Sequence, residues 1–294
     1  MTAITDILWG SVDLHVHSGP SPFPRRFTHA EAARDAGERL GMRGILCKSH
    51  HHNTVMDLLS MKDELAGSSC RAFGGIAMNN QVGGVNPYAV EMSLRMGGRA
   101  VWLPTFSSGR HIDCHPEGVG FPSATVELRN VEVSIRKEDG SLLDELHEVL
   151  DLVAESGALL SGGHMDPDSI EEVFTEAKAR GVRRMVVSHP NYVIGAEPEQ
   201  ARRLVALGSY VEHEVSMYDP KGTKKWDPQI LKDWIDALGP EHTVLASDLG
   251  QANRELPVDA FLRVGEILLD LGVDEKDLQR MTRDNPAFLL GLED

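Results

Sequence analysis

Two histidines one residue apart, His15 and His17, lie in the run Val12-Asp13-Leu14-His15-Val16-His17-Ser18. Apolar and polar residues alternate there, the pattern of a β-strand, in which side chains at i and i+2 share a face. Two imidazoles therefore stand together at the strand's C-terminal end, which Gly19-Pro20 closes. A pair of neutral imidazoles is half of a site for Zn²⁺ or a similar borderline metal. The motif alone is equally that of hydrogen-bonded strand-end histidines. With 13 histidines in 294 residues, chance supplies on the order of half an H-x-H. A metal centre needs further ligands from elsewhere in the chain.

The elements that would position such ligands follow a regular alternation. Thr28-His-Ala-Glu31 is a capping box opening a helix that Gly41 ends. Gly44–Ser49 reads as a second strand, Asn53 caps the next helix, and Ala72–Met78 is a third strand. Asn86-Pro87 starts a helix and Arg99–Thr105 is a fourth strand. Strands five to eight run from Gly157 to Gly163, Arg184 to Ser188, Ser209 to Glu214 and Thr243 to Ser247, with helices opened at Asp166-Pro167, Pro198 and Asp227-Pro228. Two helices close the chain, around Pro257–Leu271 and Asp274–Leu290.

One segment breaks the pattern. From about 107 to 140 the chain is first Pro- and Gly-rich, then carries the alternating runs Ala124–Leu128 and Val131–Ile135 before the turn Glu138-Asp-Gly140. This reads as an inserted loop with a small β element, either a surface excursion or a lid over a site. Within it, His111-Ile-Asp-Cys-His115 reads as loop rather than as a ligand cluster. Regularity returns at Ser141, whose hydroxyl and Asp144 suggest a capped helix start.

Eight strand-like runs alternating with helices, roughly 25 to 35 residues apart outside the insertion, predict a parallel sheet. The expected architecture is one (β/α)₈ barrel domain over residues 1–294, with the insertion between strands four and five. The rival is a doubly wound open sheet. The barrel is favoured because polar residues terminate strands one, two, five, six, seven and eight, and barrel chemistry sits at that rim. His15 and His17 end strand one, Lys48 and His50 strand two, His164 strand five, His189 strand six and Asp248 strand eight. Several histidines and a carboxylate around one mouth match the ligand set of a catalytic zinc site. His50, His51, Arg110, Glu212, Glu214 and Arg254 follow their strands closely enough to contact a substrate, and the arginines suit a carboxylate or phosphate.

Composition narrows the partners. The chain has 41% hydrophobic residues, enough for a large core, and a net charge of -16. That acidity argues against nucleic acid or an anionic membrane as partner, and no apolar run approaches a membrane span. Residues 1–6 carry no basic or apolar leader pattern. Cys47, Cys70 and Cys114 are scattered, which fits a reducing compartment. The expectation is a cytoplasmic protein acting on a small molecule, with a homo-oligomer the default for a soluble enzyme.

Over nearly its whole length the sequence resembles the amidohydrolase superfamily of metal-dependent hydrolases. Asp13-Leu-His-Val-His17, Gly163-His164, Ser188-His189 and Ser247-Asp248 are similar to its motifs on strands one, five, six and eight, and Asn285-Pro-Ala-Phe-Leu-Leu-Gly-Leu292 to its tail. The nearest resemblance is to a functionally undefined branch with a strand-two lysine and several histidines. The resemblance implies one or two divalent ions, zinc first and manganese as the alternative, held by His15, His17, Lys48, His164, His189 and Asp248. It implies Asp248 as general base and then acid, and His189 as metal ligand or electrophile. One departure stands out: strand four ends Val101-Trp-Leu-Pro-Thr105, with neither lysine nor glutamate to bridge two metals. Lys48 could bridge as a carbamate, or hold an anionic substrate group as a cation. The implied reaction is hydrolysis of an amide, cyclic amide or lactone. Decarboxylation or another lyase reaction, phosphoester hydrolysis and non-catalytic metal binding are the alternatives, and the intact Asp248 speaks against the last.

Overall fold

The computed structural model describes residues 2–116 and 125–292. Strands β1 (Val12–Val16), β2 (Gly44–Cys47), β3 (in two pieces, Arg71–Phe73 and Gly75–Ala77), β4 (Ala100–Trp102), β5 (Leu159–Ser161), β6 (Arg184–Ser188), β7 (Tyr210–Glu214) and β8 (Thr243–Ala246) pair in chain order, every pair parallel. Just beyond the ends of β8 and β1 the ring closes: Asp248 N–H donates to His15 O at 2.9 Å and His17 N–H to Leu249 O at 2.7 Å. The architecture is the (β/α)₈ barrel rather than the open sheet.

Local chemistry explains the helices. Thr28 Oγ1 accepts from Glu31 N while Glu31 Oε2 accepts from Thr28 N, so the helix His29–Leu40 starts with two orphan donors satisfied. It ends at Gly41, whose φ of 56° suits a residue without Cβ. Asn53, Asn86, Asp166 and Asp227 cap the helices they precede. Two apolar clusters pack helices onto the outside of the barrel. A third fills its interior: Val12, Leu14, Leu46, Phe73, Trp102, Val186 and Val244, plugged by Ala287, Leu289 and Leu290 of the last helix. That helix is tied down by Asn285, whose amide donates to Pro240 O and to Thr243 O at the start of β8.

The insertion differs from expectation. Ala124 lies outside the described residues, and the described runs at 125–128 and 131–135 form no strand. Their polar partners are side chains and loops: Val131 N–H donates to Asn80 Oδ1 at 2.8 Å, Asn130 Nδ2 to Phe106 O at 2.7 Å, and Thr125 N–H to Pro22 O at 2.7 Å. One isolated antiparallel bridge, Arg136 to Leu142, stands where a β element was expected. Ser141 does not cap a helix. Its hydroxyl donates to Asp139, and the helix Asp144–Ser156 starts after Leu143 with no side-chain cap. Residues Gly109–Cys114, read as loop, are helical because Ser108 Oγ accepts from His111 N.

The turn after β7 is anchored by a buried ion pair. Arg263 Nε donates to Asp219 Oδ1 at 2.8 Å, a second guanidinium nitrogen reaches Asp219 Oδ2, and Asp219 is fully buried. Burial would raise this carboxyl, but hydrogen bonds from Arg263 and Lys221 N outweigh it and hold Asp219 below its ordinary value. A depressed carboxyl stabilises the fold above its unfolded pKa and loses that contribution as pH falls through the lower folded value. Arg263→Met is therefore expected to cost roughly 3 kcal/mol at neutral pH. The difference from the unsubstituted protein should shrink below about pH 4, read by urea unfolding across pH.

Candidate metal centre

A register shift between Asp13 and Val16 re-phases β1. Val12 and Leu14 belong to the barrel interior while Val16 packs with the outer helices, so His15 and His17 both reach the mouth. Asp13 fixes this irregular segment: its Oδ1 accepts from His15 N and from Ser247 N, each at 3.0 Å, tying β1 to the end of β8. His17 Nε2 lies 3.0 Å from Asp248 Oδ1 and His15 Nε2 lies 3.5 Å from it. The ligand atoms of His15, His17 and Asp248 all fall within 4.8 Å of one another. These residues share one cavity with His50, His164 and His189.

Hydrogen bonds set the imidazole tautomers. His17 Nδ1 faces Lys48 O at 3.2 Å, which places its proton there and frees Nε2. His15 Nδ1 faces Glu212 Oε1 at 3.0 Å and Glu214 Oε1 at 3.5 Å, the carboxylate–histidine arrangement that frees Nε2 as a ligand. His164 Nδ1 pairs with His111 Nδ1 at 2.9 Å, and His164 Nε2 is buried with no hydrogen-bond partner. His189 Nδ1 is likewise buried and unpartnered. His189 and Asp248 have φ of 36° and 52°, left-handed conformations that cost a non-glycine residue about 1–3 kcal/mol. Gly163 and Gly250 make room for the site's backbone: a Cβ on Gly163 would meet Leu103 O at 2.4 Å, and one on Gly250 would meet His17 O at 2.3 Å.

Protonation states follow from burial and neighbours. Burial pushes His17 and His189 down to about 3, and His50 and His164 well below their ordinary value. Those four rings are neutral lone-pair donors. His15 is the exception: burial and Lys48 would lower it, but Asp248, Glu212 and Glu214 together hold it up at about 9. Asp248 stays ionised despite desolvation chiefly because the charge of His15 lies 3.5 Å away. Lys48 is buried, its Nζ 3.1 Å from His15 Nε2, and desolvation lowers it against the pull of the three carboxylates. Neutral imidazoles, an ionised carboxylate and two unpartnered buried ring nitrogens fit a divalent cation, which would satisfy donors that otherwise carry a desolvation cost.

The structure gathers His15, His17, Lys48, His50, His164, His189 and Asp248 at one end of the barrel. Arg254 lines the cavity, and His50 stacks on Phe106 with ring centroids 3.9 Å apart. The other residues expected near substrate stand behind the residues that line the cavity. Glu212 and Glu214 sit beneath His15, His51 packs between Phe23 and Phe106, and Arg110 donates to Val193 O from the helix Gly109–Cys114. Several participants were not anticipated. Asn79 binds His50 O and Thr105 Oγ1 through Nδ2 and accepts from Thr105 N and Ser107 N. Thr105 in turn meets His50 Nδ1 at 2.8 Å. Asn79 and Thr105 follow β3 and β4, so the strand-end rule that singled out the histidines would have found them. Arg25 and Lys224 come from loops and Tyr192 from the helical turn Pro190–Ile194, and none carries such a signal.

No curated protein matches the sequence. Among solved structures the chain is similar to an amidohydrolase from Pseudomonas aeruginosa, at 12% identity over 98% of each chain with a TM-score of 0.63. It is similar to a phosphotriesterase homology protein from Escherichia coli complexed with phosphate in its active site, at 14% identity over 96% of this chain and 99% of that one, TM-score 0.57. A mutant PTE-like lactonase from Deinococcus radiodurans matches at 15% identity over 99% of this chain and 98% of that one, TM-score 0.52. At such identities the likeness is one of fold, and it is the barrel fold that the resemblance implied. Residues 10–212, which run from just before β1 into β7, match a family of unknown function, DUF6282, and the chain belongs to that family.

Proposed function

We propose that this protein is a metal-dependent hydrolase that cleaves an amide, cyclic amide or lactone bond of a small molecule. The observation that carries the reading is the convergence of His15, His17 and Asp248 beside two buried, unpartnered imidazole nitrogens. The fold neighbours named as amidohydrolase and lactonase support it. A divalent metal, zinc by this donor set and manganese as the alternative, supplies such a site with a water of near-neutral pKa and an electrophile.

In this reading His15, His17, His164, His189 and Asp248 hold the metal. Asp248 Oδ1, beside His17 Nε2, takes a proton from the attacking water and returns it to the leaving nitrogen or oxygen. His189 orients or polarises the scissile carbonyl from β6. Glu212 keeps the proton of His15 on Nδ1, and His50 is held by Thr105 as part of the cavity wall. Lys48 is buried against His15, where its neutral amine would take up CO₂ and hold metal as a carbamate, or its ammonium would act as a fixed cation. Phosphoester hydrolysis is the second reading, favoured by the phosphate in the active site of the Escherichia coli relative. Three free cysteines are consistent with a cytoplasmic setting.

Screening zinc- and manganese-loaded protein against amides, lactones and phosphoesters tests the proposal. Silence on all three, or activity that survives complete chelation, would sink it. Asp248→Asn should lower kcat on any substrate found by about 10²- to 10⁴-fold with the melting temperature little changed. Metal analysis reports on Lys48: if it bridges, Lys48→Ala lowers bound metal from two ions to one, whereas a fixed cation leaves metal content unchanged and raises KM.

A further inference from the structure

The cavity above the metal centre is positive although the protein as a whole carries a net charge of -16. Among the described residues that line it are Arg25, Lys224 and Arg254 and a single carboxylate, Asp248, which lies 3.0 Å from His17. Low-dielectric walls strengthen the field of such a cluster on anything that enters.

Arg25 is the fixed member of the cluster. Its backbone bridges to Gln251, Arg26 N–H donates to Gly250 O at 2.9 Å, and Arg26 Nη1 donates to Arg254 O at 2.9 Å. The loop after β1 is thus pinned to the loop after β8. The guanidinium carbon lies 5.8 Å from the Phe23 ring centroid, and Nε is buried with no hydrogen-bond partner. A buried guanidinium N–H left unmatched is costly, and a planar carboxylate matches it through Nε and a terminal nitrogen at once. In the same lining, Lys224 Nζ sits 4.1 Å from the Tyr192 ring centroid, and Tyr192 meets His189 edge-on at 6.2 Å. A second cation is therefore held on the cavity wall near His189.

Resting on the hydrolase reading, we infer that the substrate is a small molecule bearing a carboxylate near the bond to be cut, with Arg25 binding the carboxylate and Lys224 and Arg254 drawing it into the cavity. The carboxylate then aligns the scissile group over His189 and Asp248.

Calorimetric titration of the full-length protein, as purified and after chelation, tests this with glutarate, glutaramide and inorganic phosphate as probes. Glutarate should bind in both preparations and glutaramide at least about tenfold more weakly. Arg25→Met should weaken glutarate about tenfold or more, Arg25→Lys less, and Lys224→Met a few-fold. Equal binding of glutarate and glutaramide, unchanged affinity in Arg25→Met, or phosphate binding tighter than glutarate would overturn the inference. If Arg25→Met does not fold, Arg25→Lys and Lys224→Met decide in the same way. The two readings fail separately. Expected glutarate binding with a silent substrate screen removes the hydrolase and keeps the carboxylate site. Hydrolysis of neutral and carboxylate-bearing lactones with equal kcat/KM removes the carboxylate site and keeps the hydrolase.

Discussion

The seam where the end of β8 meets β1 is the contact on which the site depends. His15 and His17 lie near one end of the sequence and Asp248 near the other, and they share a cavity only because the ring closes. Closure is made by few groups: Asp248 N–H on His15 O, His17 N–H on Leu249 O, and the buried Asp13 carboxylate accepting from both His15 N and Ser247 N. Asp13 bonds its own strand and the neighbouring one at once, so the irregularity that turns both imidazoles inward also sets the register against β8. A carboxylate in that place performs a backbone's task, and because Oδ2 is buried without a partner, the loss of either donor would leave the group with a single hydrogen bond.

Electrostatics at the rim follows from that packing. Burial alone would make every titratable group there neutral. His17, His50, His164 and His189 comply, while Asp248 and Glu212 remain charged because His15 lies between them. Glu214, beside Glu212 and reaching His15 only at 3.5 Å, is pushed the other way by burial and by its neighbour's charge. His15 thus keeps its second proton between carboxylates, beside rings that burial holds neutral, and would release that proton on ligating a metal through Nε2.

Much of this is legible in the sequence. The H-x-H strand, the polar residues closing strands five, six and eight, and the capping box at Thr28 are local signals tied to direct physical causes, and each lies on the element it indicates. The misreadings share a different cause. Ala124 to Leu128 and Val131 to Ile135 alternate like strands, yet among the described residues Thr125 N–H donates to Pro22 O, Val131 N–H to Asn80 Oδ1 and Val133 N–H to Ser107 O, all outside the strands. Gly109–Cys114 resembles loop because its cap, Ser108, lies in a glycine- and serine-rich stretch. Arg25 and Lys224 gain their meaning from what folds around them, since nothing in Pro24-Arg25-Arg26 distinguishes a cavity-lining guanidinium from a solvated one.

The cost of this arrangement argues that it is kept for a ligand. His189 and Asp248 each hold a backbone conformation that glycine would adopt more cheaply, and His164 Nε2, His189 Nδ1 and Arg25 Nε are buried without partners. Strain of about 1–3 kcal/mol per residue and a comparable penalty for each unmatched polar atom amount to a large part of a domain's net stability. The backbone N–H groups of Asp248 and His189 bond neighbouring strands, but the side chains of His164, His189 and Arg25 gain no such partner for the atoms left unmatched. The imbalance is removed when a cation meets the imidazoles and an anion meets the guanidinium. The residues that carry the two deficits line the same cavity and have opposite needs, so one ligand with a cation beside it would answer both.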